Sequence, residues 1–158
     1  MGRLQSDVAG KGVANADVIV EAIFENLEAK QELLKKLEAE MRPDALLTSN
    51  TSSIPLEKIA AALQNPARLI GLHFFNPVAK MPLIEVIRHA TVAESSIIGA
   101  VGFARQIGKL PLICKSSPGF LVNRVLGPYL DEAMRLTIDG FSPEDIDKAA
   151  PKAAEKIN

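Results

Sequence analysis

The sequence predicts an α/β fold in which a partly parallel sheet is followed by a helical segment. Short β-branched runs alternate with amphipathic stretches from Ala16 to Lys115, and this alternation is typical of parallel strands joined by crossover helices. The alternation ends at the Ser-Ser-Pro-Gly of 116–119, and only helical periodicity follows. The chain therefore divides into a sheet domain over residues 1–117 and a helical domain over residues 118–158.

Composition excludes several classes of protein. Among 158 residues, 47% are hydrophobic and 23% charged, which excludes a disordered or fibrous chain, and the net charge of −1 excludes a strongly basic nucleic-acid-binding protein. Cys114 is the only cysteine, so neither an internal disulfide nor a cysteine-rich zinc site is expected. No apolar run approaches the ~20 residues of a membrane span, and the N-terminus lacks the apolar segment of a signal peptide. We expect a cytoplasmic protein without metal, nucleic acid or membrane span.

The first half of the sheet domain predicts three parallel strands. Residues 3–16 are polar and predict a loop, and the continuous apolar run that follows, 16–23, is typical of a strand buried on both faces. An amphipathic helix over 24–41 leads to a second strand over 45–50. A helix then begins after Pro55, which suits its first turn, and ends near residue 63, before a third strand over 68–75.

The next strand predicts a change of direction. The loop over 76–82 has seven residues, too few for a crossover helix, so we expect strands 68–75 and 83–87 to pair antiparallel. A helix over 93–107 and a last strand over 110–115 complete the predicted sheet domain.

The helical segment contains one long amphipathic stretch and the start of another helix. The first runs from Phe120 to Gly140, with Pro128 predicted to kink it and the glycine to end it. Ser142 is predicted to cap the next helix, with Pro143 at its first position.

The two histidines predict different surroundings. His73 lies near the carboxyl end of a predicted parallel strand, where open α/β sheets bind their ligands. If the hairpin is symmetric about Ala79, His73 faces Glu85, and a carboxylate that orients an imidazole suits a general base. The alternative is a half-buried histidine with a satisfied hydrogen bond and no chemistry. His89, at a strand end, is predicted to be a solvent-exposed loop residue.

Polar residues follow three successive strand ends, near residues 23, 50 and 74. The turn Thr-Ser-Asn-Thr-Ser-Ser at 48–53 offers hydroxyls and backbone N–H groups that hold an alcohol, carbonyl or phosphate, although any helix-capping turn contains such residues. Because all three strand ends face one crevice, their convergence favours a binding site. Asparagine is a poor residue for a helix interior, so Asn123 indicates that a partner side chain or a ligand contacts it.

Four blocks of sequence carry a resemblance to a known family. They are VEAIFENLEAKQ at 20–31, TSNTSSIP at 48–55, GLHFFNPVAKMPLIEVI at 71–87 and SSPGFLVNRVLGPYLDEA at 116–133. Over about residues 7–150 the chain resembles the L-3-hydroxyacyl-CoA dehydrogenases, most closely the dehydrogenase part of multifunctional fatty-acid β-oxidation enzymes.

The resemblance implies a Rossmann-like sheet domain, an all-α dimerisation domain and an NAD-dependent oxidoreductase. Its reaction would oxidise (S)-3-hydroxyacyl-CoA to 3-oxoacyl-CoA in fatty-acid β-oxidation, with acyl-CoA as the substrate. His73 would be the base, Glu85 would hold its imidazole, and Ser52 and Asn123 would bind the substrate. Five further residues would line the nicotinamide and ribose half of the NAD site: Ile23, Phe24, Glu25, Lys30 and Asn76.

The chain departs from the family pattern at its ends. No Gly-x-Gly-x-x-Gly turn after a strand precedes Ala16, and the helical domain has only about two helices. The resemblance therefore implies a fragment truncated at both ends, and the residue that selects NAD over NADP is missing. The alternative to an active dehydrogenase is an incompetent remnant that acts as an acyl-CoA-binding or dimerisation module.

A homodimer is expected on either interpretation. In the family, the helices after residue 118 form the dimer contact, and in this chain they carry more apolar residues than one buried face can hide. These are Phe120, Leu121, Val125, Leu126, Tyr129, Leu130, Met134, Leu136 and Ile138. The sheet edge left by missing N-terminal strands is a second surface that needs cover.

Overall fold

The computed structural model describes residues 4–155 and contains a five-stranded mixed sheet. Its strands are β1 (Val18–Glu21), β2 (Leu46–Ser49), β3 (Leu69–Phe74), β4 (Leu83–Arg88) and β5 (Leu110–Lys115). The strands lie side by side in chain order. The predicted α/β sheet is confirmed. Strands β1, β2 and β3 are shorter than predicted, β4 is one residue longer, and β5 has its predicted range.

Strand directions follow the lengths of the connections. β1, β2 and β3 pair in parallel, as do β4 and β5, because each of these connections contains a helix. β3 and β4 pair antiparallel across the short loop between them, as predicted, with Gly71 opposite Ile87 and His73 opposite Glu85. The carboxyl ends of the first three strands therefore lie at one edge of the sheet, together with the start of β4.

Within residues 4–155, five α-helices connect or follow the strands. They are α1 (Leu27–Glu40), α2 (Leu56–Ala60), α3 (Glu94–Gln106), α4 (Val122–Ile138) and α5 (Pro143–Glu155). Asn26 caps α1 through its side-chain oxygen, which accepts a hydrogen bond of 2.9 Å from the backbone N–H of Ala29. α2 ends three residues before its predicted end.

The two faces of the sheet carry separate apolar cores, as expected where a sheet is covered on both sides. One core packs α1 and α2 on the sheet, with Leu34, Leu47, Leu56, Ile59, Leu69 and Ile87 among its buried residues. The other packs α3 on the opposite face, with Ile70, Leu72, Ile84, Val86, Ala100 and Ala104. Alternate residues of β3 and β4 thus enter opposite cores, which fixes the register of the hairpin.

The described chain separates into two compact units, one up to Leu121 and one from Val122 onward. In the second unit, Pro128 lies inside α4, and Gly140, with φ of 98°, follows its end. Ser142 accepts a hydrogen bond of 3.2 Å from the backbone N–H of Asp145, which confirms the predicted cap of α5. None of the helices in residues 4–155 has the length and apolar character that crossing a membrane requires.

Three further predictions differ from the structure. The predicted loop before β1 contains one 3-10 turn, Val13–Asn15, and its residue 3 lies outside the described residues. His89 is buried, not exposed, because its Nε2 donates to the carbonyl of Leu69 at 2.9 Å and its Nδ1 lies 3.2 Å from the Thr91 hydroxyl. Phe120 does not belong to an exposed helix face: it precedes α4, is 2% exposed and packs in the α1–α2 core.

Candidate active site

His73 and Glu85 form a buried pair at the carboxyl end of β3. They are opposite each other in the β3–β4 ladder, and His73 Nδ1 lies 2.8 Å from Glu85 Oε2. The histidine is 6% exposed and the glutamate 0%. An ionised carboxylate only accepts hydrogen bonds, so Nδ1 donates and the neutral imidazole carries no proton on Nε2. The pairing is the one that the symmetric hairpin predicts.

The segment before α4 closes around this pair. Two rings contact the imidazole edge-on: Phe75 with centroids 4.7 Å apart and Phe120 with centroids 5.6 Å apart. The backbone N–H of Leu121 donates to Glu85 Oε1 at 2.9 Å. One oxygen of the carboxylate therefore holds the imidazole, and the other holds the backbone that leads to α4.

A second cluster of charges lies at the carboxyl end of β1. Glu21, buried at 2% exposure, accepts from Lys30 Nζ at 2.8 Å, from the backbone N–H of Ile23 at 2.7 Å and from the Ser49 hydroxyl at 2.5 Å. Lys30 is 1% exposed and also donates to the Ile23 carbonyl at 3.0 Å. Its ammonium contacts Glu25 Oε2 at 3.2 Å, so the three N–H donors of Lys30 match three oxygens of this cluster.

Glu25 connects this cluster to the turn after β2. One of its oxygens accepts from the Thr51 hydroxyl, from the backbone N–H of Ser52 at 3.0 Å, and from the backbone N–H and hydroxyl of Ser53, each at 3.0 Å. Burial raises the pKa of Glu25, but the hydrogen bonds from Thr51, Ser53 and Lys30 outweigh it and lower the pKa to about 2. Glu25 is therefore an anion at neutral pH, and it shapes the turn around Ser52.

The remaining predicted residues at this edge are open to solvent. Phe24 is 72% exposed, and the side chains of Ser52 and Asn76 are exposed. Asn50 ties two strand ends together, because its side-chain oxygen accepts from the backbone N–H of Phe74 at 2.9 Å. The structure thus brings the predicted groups after β1, β2 and β3 to one sheet edge. Asn123 is exposed on the first turn of α4, in the second compact unit.

Cys114 is an unreactive neighbour of the pair. Burial, together with the charge of Glu85, raises the pKa of the Cys114 thiol to about 11. At neutral pH the sulfur stays protonated, which excludes a nucleophilic role.

Several residues at the site were not singled out from the sequence as site residues, among them Glu21, Thr51, Phe120 and Leu121. Glu21 and Thr51 lie within motifs in which other residues were assigned the functional roles. A glutamate at the end of an apolar strand is the signal that could have identified Glu21. Phe120 and the Leu121 N–H carry no such signal, because aromatic and apolar residues before a helix predict packing alone.

Comparison with known proteins connects this geometry to one family. Residues 1–117 match the family model described as 3-hydroxyacyl-CoA dehydrogenase, NAD binding domain. Residues 119–155 match the model described as 3-hydroxyacyl-CoA dehydrogenase, C-terminal domain.

Individual relatives agree with the family models. The fatty acid oxidation complex subunit alpha of Shewanella sp. (strain W3-18-1) is 47% identical over 142 residues, covering 90% of this chain and 20% of that protein. The solved structure of Mycobacterium tuberculosis FadB2 is 40% identical with a TM-score of 0.86, covering 90% of this chain and 51% of that one. That of (S)-3-hydroxybutyryl-CoA dehydrogenase from Ralstonia eutropha is 36% identical with a TM-score of 0.85, covering 91% and 51%. The chain spans about a fifth of the curated relative.

Proposed function

Because the chain belongs to the 3-hydroxyacyl-CoA dehydrogenase family, we propose that it oxidises (S)-3-hydroxyacyl-CoA to 3-oxoacyl-CoA with NAD in fatty-acid β-oxidation. The observation that carries the proposal is the His73–Glu85 pair, in which Nδ1 lies 2.8 Å from the carboxylate. An ionised carboxylate accepts from Nδ1, and Nε2 of the neutral imidazole is then the nitrogen without a proton. An oriented, unprotonated imidazole nitrogen at a ligand-binding sheet edge is what a general base requires.

In the proposed reaction, His73 takes the proton of the substrate 3-hydroxyl on Nε2. The hydrogen on C3 leaves with its electron pair, and the C3–O bond becomes a carbonyl. NAD, when bound, would supply the two-electron oxidation, as the acceptor of this hydride. Glu85 stabilises the imidazolium that results, because its buried carboxylate lies 2.8 Å from Nδ1.

The groups beside this pair fit the nicotinamide and ribose half of NAD. Glu25, at 33% side-chain exposure, offers a carboxylate to ribose hydroxyls, and Asn76 offers an exposed amide. Phe24 offers an exposed aromatic face, and Ile23, whose backbone is held by Glu21 and Lys30, offers a partly buried apolar side chain. The role of Lys30 as a cofactor-binding residue stays a prediction. Its three hydrogen bonds within the cluster support an indirect role, in which Lys30 acts through Glu25.

We propose Ser52 and Asn123 as the substrate-binding residues, through the reacting oxygen or the thioester arm of an acyl-CoA. Ser52 has an exposed side chain while its backbone N–H is held by Glu25, so its hydroxyl is available to a ligand. We further propose that residues 1–117 are the C-terminal portion of an NAD-binding domain and residues 118–158 the start of a helical dimerisation domain. The cytoplasmic location stays a prediction from the sequence.

A homodimer is the proposed assembly, and one observation favours it. In α4, Leu126, Leu130, Met134 and Ile138 recur every four residues and are 42%, 50%, 65% and 84% exposed. The second candidate function is an acyl-CoA-binding or dimerisation module without turnover, and the same exposed stripe supports its dimerisation.

Separate titrations of NAD and acetoacetyl-CoA by calorimetry test the proposal, followed by an assay of acetoacetyl-CoA reduction with NADH. We expect both ligands to bind, and we expect NADH to be consumed as (S)-3-hydroxybutyryl-CoA forms. Binding of acetoacetyl-CoA without binding of NAD, and without turnover, would instead support the binding module.

A further inference from the structure

Phe120 has a backbone conformation that a residue with a Cβ seldom adopts. Its φ of 49° is positive, and among residues 4–155 no other residue except glycine has a positive φ. The side chain is nonetheless 2% exposed, so the strain is not relieved by an open turn. A strained residue persists where its surroundings determine its position, and such residues concentrate at functional sites.

Two hydrogen bonds and two packing contacts hold this conformation. Phe120 donates its backbone N–H to the Ser117 carbonyl at 2.8 Å, and the next residue, Leu121, donates to Glu85 Oε1 at 2.9 Å. The Phe120 ring packs in the α1–α2 core and meets the imidazole of His73 at an interplanar angle of 61°. The strained turn therefore presents its side chain to His73 and its backbone to Glu85.

The orientation of the imidazole depends on these contacts. The hydrogen bond to Glu85 fixes one ring nitrogen, and the edge-on rings of Phe75 and Phe120 limit rotation of the imidazole about its Cβ–Cγ bond. Loss of the Phe120 ring would leave space next to His73 and free the segment that Glu85 Oε1 holds. The imidazole would then rotate, and either nitrogen would carry the proton.

We infer that Phe120 is a positioning residue for His73, which it holds in the tautomer that leaves Nε2 unprotonated. The inference rests on the proposed function only for its consequence in catalysis. That Phe120 fixes the orientation of His73 concerns the free protein and is tested separately.

Nitrogen NMR of the imidazole rings in the full chain tests the geometric part. The chain has two histidines, so a His89→Gln variant assigns the signals of His73. When its imidazole is neutral, the wild-type His73 should show one protonated nitrogen, Nδ1, and one unprotonated nitrogen, Nε2. In Phe120→Leu the two signals should move toward each other, because both tautomers become populated.

The matched control is Phe103→Leu, the same change in a residue that packs against the core on the opposite face of the sheet. It should lower stability and leave the His73 signals unchanged. The inference is overturned if Phe120→Leu keeps the wild-type signals, or if Phe103→Leu shifts them as much.

A measurement on the wild-type chain decides the matter if Phe120→Leu does not fold. Nuclear Overhauser contacts between the ring protons of Phe120 and those of His73 are expected, and their absence would overturn the inference without any variant. Phe120→Met, which replaces the ring with an unbranched apolar side chain, provides a second variant for the tautomer measurement.

Turnover tests the consequence for catalysis. In Phe120→Leu we expect kcat to fall roughly 10-fold to 100-fold, as for a misplaced catalytic group, with KM for acetoacetyl-CoA changed much less. A wild-type chain that turns over no substrate would count against the proposed function, and the NMR measurements would still decide whether Phe120 positions His73.

Discussion

Two carboxylates organise the candidate site, each by a different physical route. Glu85 lies at 0% exposure and uses its two oxygens to join His73 to the segment before α4. Glu25 is more open and holds the turn around Ser52 with one oxygen while the other contacts Lys30. Since one carboxylate orients the proposed base and the other shapes the proposed substrate-binding turn, replacing each should affect a different measurable quantity.

Substitutions in the buried pair should affect rate more than binding. His73→Ala should lower kcat by at least ~10²-fold, as for loss of a general base. Glu85→Gln should lower kcat more than it weakens binding of acetoacetyl-CoA, because the charge acts on the imidazolium that forms during the reaction. Steady-state kinetics with acetoacetyl-CoA and NADH measure both effects.

The control for these variants is His89→Gln, which removes the other histidine, buried at the opposite end of the β3–β4 pair. It should destabilise the fold and leave kcat of the folded protein near the wild-type value. A near-native rate in His73→Ala at neutral pH would contradict the proposed role of the pair.

Glu25 should contribute stability that depends on pH. Its pKa is lowered to about 2 in the folded protein from an ordinary 4.5, so the folded state favours the ionised form. That contribution is complete above the unfolded value and is lost as the pH falls from about 4.5 toward about 2. Urea unfolding should therefore show Glu25→Gln less stable than wild type at pH 7, with a difference that shrinks at lower pH. A difference that stays constant down to pH 3 would show that the hydrogen bonds to the turn do not favour the anion.

Among the secondary-structure elements, the β3–β4 hairpin determines the site because its register sets His73 against Glu85. Gly71 allows the close packing on which this register depends. A Cβ at this position would lie 2.8 Å from Ile87 Cβ, 2.9 Å from Ile87 Cδ1 and 3.0 Å from Leu56 Cδ1. Strand β4 and helix α2 therefore both approach the backbone of β3 at a point where no side chain fits.

We expect Gly71→Ala to lower the free energy of unfolding by about 1–3 kcal/mol, as for overpacking of a tight core. The control is Gly102→Ala in α3, where a Cβ would meet nothing within 4 Å. That variant should be neutral or more stable by up to about 1 kcal/mol, because alanine favours a helix over glycine. Equal destabilisation in the two variants, measured by urea unfolding, would contradict the packing argument.

The same hairpin shows what sequence alone predicts. A loop of seven residues excludes a crossover helix, so direction, register and the pairing of His73 with Glu85 all follow from local spacing. The surroundings of His89 do not follow from local spacing, because its partner is the carbonyl of Leu69, twenty positions earlier in the chain. Phe120 is similar: apolar periodicity assigns it to a helix, and only the assembled core shows that it turns inward to His73.

At the scale of the whole molecule, the exposed stripe on α4 predicts self-association. Light scattering at micromolar concentration should give about twice the 17.0 kDa of one chain. Leu130→Lys with Met134→Lys should reduce the mass toward that of one chain, because two buried charges would oppose an apolar interface.

Asp131→Lys, an exposed change on the same helix outside the stripe, is the control and should leave the mass unchanged. A wild-type mass of about 17.0 kDa would refute the dimer.

The order of the strands has a consequence for how the protein acquires its fold during synthesis. Each strand of the sheet pairs with the one before it in the sequence, so the sheet grows at one edge as successive segments leave the ribosome. His73 and Glu85 are separated by only twelve positions, and a single hairpin closure brings them together. Phe120 and Leu121 are translated about 35 positions after Glu85, so on a growing chain the acid–imidazole pair forms first and is enclosed only after β5 has joined.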